Sequence, residues 1–484
     1  MKNLIFCCLC LLACSPNSQV TNTQDKVIMA IPSDPYSLDP IFATDLASQK
    51  LNLLVFKKLF RIGKNGKLEN ELTDKWTPIS PNVIRISMKK LKASDGEFLT
   101  SDDVLYSLNR LKAEIGPRKS VYSFIQSINK LSQFALEIEF TGSLQAMQEK
   151  LSLPPASIYS KKHHSQKEKF VSSGLYSLEE WSKNNHIKLK KNEFLSDENL
   201  PKELELLVLP QATTSVYLFS RNKLDILKMP FFLLNHEATK QGKIKTVKSK
   251  SVQYVAINNK NPCFDKPFRK ALNYAVHKDL IIEKIFESRA SQPYTSIPPD
   301  YMLNQELTKK YVYPYNPQKA KNLIAQSKCY PAILQTNLDF RMRGDDENKS
   351  KGMAVVQYLK EIGLTVKVNP MEKVKLYKEN GQNKGDLTFL TWYVDYDSVY
   401  NFIDPLFASD SYGNGGNRAF YQNDKIDSFI LKVRKGELVA EQELVTTIEV
   451  LYENAPWIFL WSIYEDYLLS AKAQKYPELE EFIF

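Results

Sequence analysis

Apolar and polar positions along this chain keep two different periods, and the switches between them outline its elements. Residues 27–31 form a short β-like run that Pro32 stops, and Asp34-Pro35 opens a turn. Over residues 47–60, Leu51, Leu54, Val55, Lys58 and Leu59 recur near helical spacing, and Asn65-Gly66 then reads as a tight hairpin turn. Strict alternation returns at 83–88, where Ile84, Ile86 and Met88 share one face, and at 135–140, with Leu136, Ile138 and Phe140. Between these strands Thr100 caps a predicted helix carrying Val104, Leu105, Leu108 and Leu111.

The second half is more regular. Asp265 and Pro267 start a helix whose apolar face is Phe268, Ala271, Leu272, Ala275 and Val276, and Asn316-Pro317 repeats that start before Ala320, Leu323 and Ile324. From about residue 331 strands and helices alternate. A strand is predicted at 332–338 and a helix at 353–362, closed by Gly363. A strand on Leu364, Val366 and Val368 follows, then a helix ending at Asn380-Gly381 and a strand at 386–392. Such alternation predicts an α/β domain with a largely parallel sheet. Ligands of open sheets bind beyond the carboxyl ends of strands, which singles out residues 392–397.

The first residues change the picture by assigning a compartment. Lys2 precedes an apolar run at 4–13 that is long enough for a signal peptide and too short to cross a bilayer. Its end, Leu11-Leu12-Ala13-Cys14, resembles a bacterial lipobox, in which Cys14 receives lipid. Polar residues 15–24 then read as a tether, and Ser15 argues weakly against inner-membrane retention. Cys7, Cys8 and Cys10 would leave with the leader. Cys263 and Cys329 remain; an oxidising compartment allows them to pair, and two free thiols fit equally well. The rest of the chain, about 460 residues, implies two or three domains. The net charge of +10 comes from dispersed lysines, as in Lys188-Leu189-Lys190-Lys191, which alternate like a solvated strand face. That pattern argues against nucleic-acid binding.

Catalytic signatures are missing. No G-x-S-x-G elbow, H-E-x-x-H, phosphate-cradling loop or dinucleotide fingerprint occurs. His163-His164 lies in a Lys- and Ser-rich stretch, and His186, His236 and His277 are isolated. The expectation is a protein that is not an enzyme and needs no metal or cofactor.

Six segments, in order, resemble the peptide-binding (family 5) solute-binding proteins of ABC transporters, the relatives of oligopeptide- and dipeptide-binding proteins. Ser37-Leu38-Asp39-Pro40 is similar to the family's S-L-D-P, and residues 66–76, from Gly66 through Leu72 to Trp76, to its G-x-I-x-P-x-L-A-x-x-W, with Asn70 at the usual proline. Residues 91–104, followed by Leu108 and Arg110, resemble F-x-D-G-x-P-x-T-A-x-D-V, and Ser173-Gly174-Leu175-Tyr176 resembles T-G-P-Y. Residues 264–275 resemble F-x-D-x-R-V-R-x-A-L-x-Y-A, and 315–320 resemble Y-D-P-x-K-A.

The resemblance implies a two-lobed periplasmic-binding-protein-like α/β fold with an extra subdomain on the first lobe (class II, cluster C type). Residues 1–13 would be the signal peptide and 14–26 the tether. The first lobe would comprise 27–50, 171–258 and 456–484, the subdomain 51–170 and the second lobe 259–455, with hinge segments at 254–258 and 457–463. Trp392-Tyr393-Val394-Asp395-Tyr396 is similar to the family's W-x-x-D-Y, whose aspartate pairs with a peptide's α-amino group, although Asp397-Ser398 replaces the usual proline-containing continuation. By the same resemblance Thr44, Asp45 and Leu46 fall at a ligand contact of the first lobe, and Tyr122 near a pocket tyrosine. Arg341 and Arg343 fall where dipeptide binders hold the ligand carboxylate, although the charged run 341–351 also reads as a solvated loop. The implied function is capture of short peptides by a monomer, anchored through Cys14 in the periplasm or at the cell surface, for ABC permease subunits. Alternatives are another small solute, such as a nickel chelate or a sugar, or a receptor uncoupled from transport.

Overall fold

The computed structural model describes residues 25–479 except 44, 64–66, 114–115, 118, 163–170, 196–198, 249, 302–305, 307–308, 395–397 and 438. Cys14, Thr44, Asn65-Gly66, His163-His164, Asp395, Tyr396 and Asp397 therefore lie outside the described residues. Strand β1 (Lys26–Ile31) leads through helix α1 (Leu46–Val55) to β2 (Phe60–Ile62), β3 (Leu68–Asn70), β4 (Thr73–Ser80), β5 (Val83–Met88), α2 (Ser101–Ala113), β6 (Ile125–Ser132), β7 (Ala135–Phe140) and α3 (Leu144–Lys150). Then follow β8 (Tyr176–Ser182), β9 (His186–Lys191), β10 (Glu203–Val208), α4 (Ala212–Ser220), β11 (Ile226–Met229), β12 (Lys243–Lys248) and β13 (Ser251–Ile257). The next stretch holds α5 (Lys266–Ala275), α6 (Lys278–Lys284), β14 (Ala290–Ser291), α7 (Pro317–Ala325), α8 (Ala332–Gln335) and β15 (Asn337–Arg343). The chain ends with α9 (Asp346–Glu361), β16 (Thr365–Met371), α10 (Lys373–Gly381), β17 (Leu387–Tyr393), α11 (Asp424–Lys435), α12 (Glu441–Asn454) and β18 (Trp457–Leu469).

Ten strands run β16-β15-β17-β13-β18-β11-β1-β10-β9-β8 across one curled sheet, and β12 and β14 also pair with β18. The three strands of the predicted alternation, β15, β16 and β17, pair in parallel as expected, but antiparallel β13 and β18 make the whole sheet mixed. Parallel pairing is confined to β16-β15-β17 and β11-β1-β10. Strand β18 joins the two halves: it pairs with β13 at Trp457–Trp461 and with β12 from Tyr464 to Leu469. Separate cores form on either side. One, around Phe268, Leu359 and Ile448, packs the helices of the second half, and two others cover the faces of the β1 half-sheet. A fourth, around Ile86, Leu108 and Ile138, fills a subdomain built on the sheet β4-β5-β7-β6.

Several expected elements stand where the pattern put them, and their caps explain why. Asp265 accepts from Phe268 N at 3.1 Å and Asn316 from Lys319 N at 2.9 Å, so each satisfies an orphan donor at its helix start. At α2 the roles differ from expectation: Asp103 reaches back to the amide and hydroxyl of Thr100, at 2.8 and 2.9 Å.

Three elements are displaced. The helix expected at 353–362 already starts at Asp346, where Asp345 caps it. Helix α1 stops at Val55, short of residue 60, because Gly174 N donates to the Val55 carbonyl at 2.8 Å and takes the acceptor a further turn would need. A Cβ on Gly174 would lie 2.4 Å from the Val55 carbonyl carbon, so only glycine fits there. The strand expected at 332–338 begins instead at Asn337, since 332–335 coil into α8 with Ile333 N bonded to the Cys329 carbonyl at 2.9 Å. The charged run 341–351 is consequently the end of β15 and the start of α9, capped by Asp345, and no loop. Cys263 and Cys329 form a disulfide with Cα atoms 5.2 Å apart.

Candidate functional site

A cleft with about 1480 Å3 of unfilled space, partly open to solvent, lies between the two halves of the sheet. The carboxyl ends of β1, β15 and β17 point into it, as do the amino-terminal turns of α1, α9 and α10. Strands β15 and β17 are paired only at Phe340–Leu387 and Arg341–Thr388. Past Thr388 they splay, while β13 stays paired along the other edge of β17 to Tyr393. Among the described residues no strand covers the β15-facing edge of β17 at 389–393, and those five residues line the cleft.

Charge is concentrated at the back wall. Glu465 on β18 accepts from Lys228 at 2.9 Å, from the Tyr393 hydroxyl at 2.7 Å and from the Tyr467 hydroxyl at 2.8 Å. Burial would raise its pKa, but Lys228 and Lys50 outweigh that and hold it down to about 2. Lys228 also faces Glu347 of α9 at 3.9 Å, and Lys351 pairs with Glu347. Burial opposes the Lys228 charge, yet the two glutamates hold its pKa well above the ordinary value. Burial pushes Lys50 down to about 8, against the pull of Glu465. Lys373 of α10 reaches across to Asp45 at the start of α1, with both residues about 5–6% exposed.

The structure brings together Asp45, Leu46, Arg343, Trp392 and Tyr393 among the residues expected from sequence. The Asp45 carboxylate is already occupied by Lys373, the Ser48 hydroxyl and the Tyr36 amide, the last at 3.1 Å. Arg343, the last residue of β15, holds Asp345 through Nε at 3.0 Å, and its terminal nitrogens have no hydrogen-bond partner among the described residues. Two expected residues are elsewhere. Arg341 is bound to Asp339 at 2.6 Å and Glu379 at 2.7 Å, outside the cleft lining. Tyr122 is buried in the subdomain core, where its hydroxyl donates to the Lys150 carbonyl at 3.2 Å. Asp395, Tyr396 and Thr44 lie outside the described residues.

Sequence reading missed Lys228, Glu347, Lys351, Lys373 and Glu465. A signal existed for two of them: Lys228 interrupts the apolar strand ILKM, and Glu465-Asp466 interrupts WIFLWSIYEDYLL. A charge inside such a run is buried and must be paired. No group of three or more His, Cys, Asp or Glu among the described residues is arranged to hold a metal ion. No helix among them is long and apolar enough to cross a membrane.

Residues 67–414 match the family model for the middle region of bacterial extracellular solute-binding proteins, family 5. The chain is 26% identical over 466 residues to the glutathione-binding protein GsiB of Escherichia coli K12, an alignment covering 89% of this chain and 88% of that one. Among solved structures, the periplasmic binding protein DppA of Helicobacter pylori in complex with the peptide STSA superposes with a TM-score of 0.82 at 20% identity, covering 92% of this chain and 94% of that one. NikZ of Campylobacter jejuni in complex with Ni(L-His) gives 0.80 at 21% identity, with 93% and 94% covered.

Proposed function

The chain belongs to the family 5 bacterial extracellular solute-binding proteins, which serve ABC transporters, and from that premise we propose that its cargo is a short peptide or peptide-like conjugate. The observation that carries this reading is the uncovered edge of β17 at 389–393. A bound peptide backbone would extend the sheet there, gaining affinity without reading side chains. Asp395, two residues beyond the end of β17, takes the ligand's α-amino group, and the free face of the Arg343 guanidinium takes its carboxylate. The glutathione-binding relative and the peptide-bound neighbour support the cargo class.

Capture proceeds by closure. The lobes turn about the β12–β13 junction, a few residues before the hinge segment expected at 254–258, and about the middle of β18, where that strand changes partners. The closed form, stabilised by its ligand, presents itself to the permease, and the ligand leaves chemically unchanged. Lipid on Cys14 holds this monomer to the membrane outside the cytoplasm.

The test is calorimetric titration of the chain lacking residues 1–14 with glutathione, di- and tripeptides, their carboxy-amides and Ni(L-His). A free peptide should bind stoichiometrically. Asp395→Asn should weaken binding by about 1–3 kcal/mol, as for a lost charge-assisted bond. Arg343→Gln should abolish the preference for the free acid over the amide. Binding of the chelate with none of any peptide would reject the cargo assignment.

A further inference from the structure

Away from the ligand cleft, the subdomain and the second half of the molecule meet at another point. Helix α3, whose Met147 belongs to the subdomain core, starts against the carboxyl end of α11, whose Phe429 and Ile430 belong to the core of the second half. Lys150 Nζ donates to the Arg434 carbonyl at 2.8 Å, a buried bond between residues 284 apart in sequence. Arg434 is itself fixed, through Nε and Nη2 to Asp404 at 2.8 and 2.6 Å and through Nη1 to Asp410 at 2.6 Å. Beside this bond the two main chains touch. A Cβ on Gly142 would lie 2.3 Å from the Lys435 carbonyl oxygen, and one on Gly436 would lie 2.7 Å from the Ser143 nitrogen. None of these residues lines the cleft.

Main-chain approach this close between separately cored units needs glycine on both sides. The bond at its centre is unusual in chemistry as well as place. An ammonium is removed from water, with the Phe124 ring 5.1 Å away, and given a neutral carbonyl as acceptor. Burial pushes Lys150 down to about 8, against the pull of Asp404. Separation of the two units would return this ammonium to water, so the contact is readily reversible. A permanent interface would more commonly hold an apolar side chain there, whereas a contact that opens to water tolerates a charge.

We infer that Gly142, Lys150, Arg434 and Gly436 form a second closure contact, remote from the ligand, which sets how long the closed form retains its cargo. The inference rests on the closing motion proposed above but not on the cargo being a peptide. These are positioning residues: they act on the equilibrium between open and closed forms and touch no ligand.

The experiment uses the chain lacking residues 1–14, with spin labels on Asn129→Cys and Lys321→Cys, exposed positions in the subdomain and the second half. Distance distributions are recorded without ligand and with reduced glutathione or trialanine. Lys150→Met removes the bond. Gly436→Asn keeps the left-handed backbone, which asparagine tolerates, and adds the obstructing Cβ. Both variants should shift the distribution toward the longer distance and speed release of whichever probe binds by about 10-fold, with little change in association, since effects on closed complexes appear in the off-rate. Lys150→Arg should restore the parent behaviour, because its guanidinium reaches the same carbonyl. If neither probe binds but the distances still shift, the contact stands and the peptide assignment falls. Parent-like distances and release rates in both folded variants would overturn the inference.

Discussion

Replacing Lys373 by methionine tests whether the two lobes are held closed from within the cleft. The Lys373 ammonium and the Asp45 carboxylate belong to opposite sides of the cleft and are nearly inaccessible. Removing one partner of a buried pair costs about 3–5 kcal/mol when the other charge stays buried and alone. Asp45 would not be alone: it keeps the Ser48 hydroxyl, the Ser48 amide at 3.3 Å and the Tyr36 amide at 3.1 Å. In the open form it would also meet water. The penalty therefore falls on closure only and is smaller, about 2–3 kcal/mol, which weakens ligand binding by roughly 30- to 150-fold. The assay is a double-mutant cycle by calorimetry with whichever of the titrants named above binds the parent chain. Asp45→Asn is the second arm, since asparagine caps α1 as well as aspartate. The double variant should lose about 2 kcal/mol less than the sum of the single variants. Additive losses, or an affinity for Lys373→Met within twofold of the parent, would refute the latch.

Glu465 makes the protein sensitive to acid. Its pKa falls from an ordinary 4.5 to about 2, so its stabilisation is complete above about pH 5 and is lost as pH drops through the folded value. The difference amounts to about 3 kcal/mol. Glu465→Gln should flatten the loss of stability between pH 5 and 2 in urea unfolding, and an acid limb like that of the parent would contradict it. Reduction of the Cys263–Cys329 disulfide, which closes a loop of 66 residues, should lower unfolding stability by about 2–4 kcal/mol in denaturant titrations with and without reductant. Cys14→Ser should move the protein from the membrane to the soluble fraction on cell fractionation, and unchanged partitioning would remove the lipid anchor from the proposal.

The segments that resemble the family were legible because they perform local structural work that the structure makes explicit. Asp39 of the S-L-D-P segment binds Arg110 in a fork, with Nη1 to Oδ1 at 2.8 Å. Gly174 admits the backbone of α1. Asn273 of the 264–275 segment holds the start of β18 through the Trp457 carbonyl at 2.7 Å and the Phe459 amide at 3.0 Å. Residues that fix the scaffold at fixed spacings can be matched one by one. Cleft residues were harder to read because they are brought together from distant segments. Arg341 and Arg343 look alike in sequence, but they differ by which acidic side chains surround them: Asp339 and Glu379 engage the first, while Asp345 leaves part of the second exposed to the cleft.

The sequence by itself determined the fold class, the family, the strands near 27–31, 83–88, 135–140 and 386–392 and the starts of α1, α2, α5 and α7, because periodicity, caps and short motifs are encoded within a few residues. Tertiary structure alone decided where α1 stops, how β15 and β17 splay, and that Lys373 meets Asp45 and Lys228 meets Glu465 and Glu347. A hydrogen-bond acceptor taken by a residue more than a hundred positions away, or a charge paired across the cleft, leaves no local trace. The energy of each depends on burial and on a partner, which only the folded chain supplies.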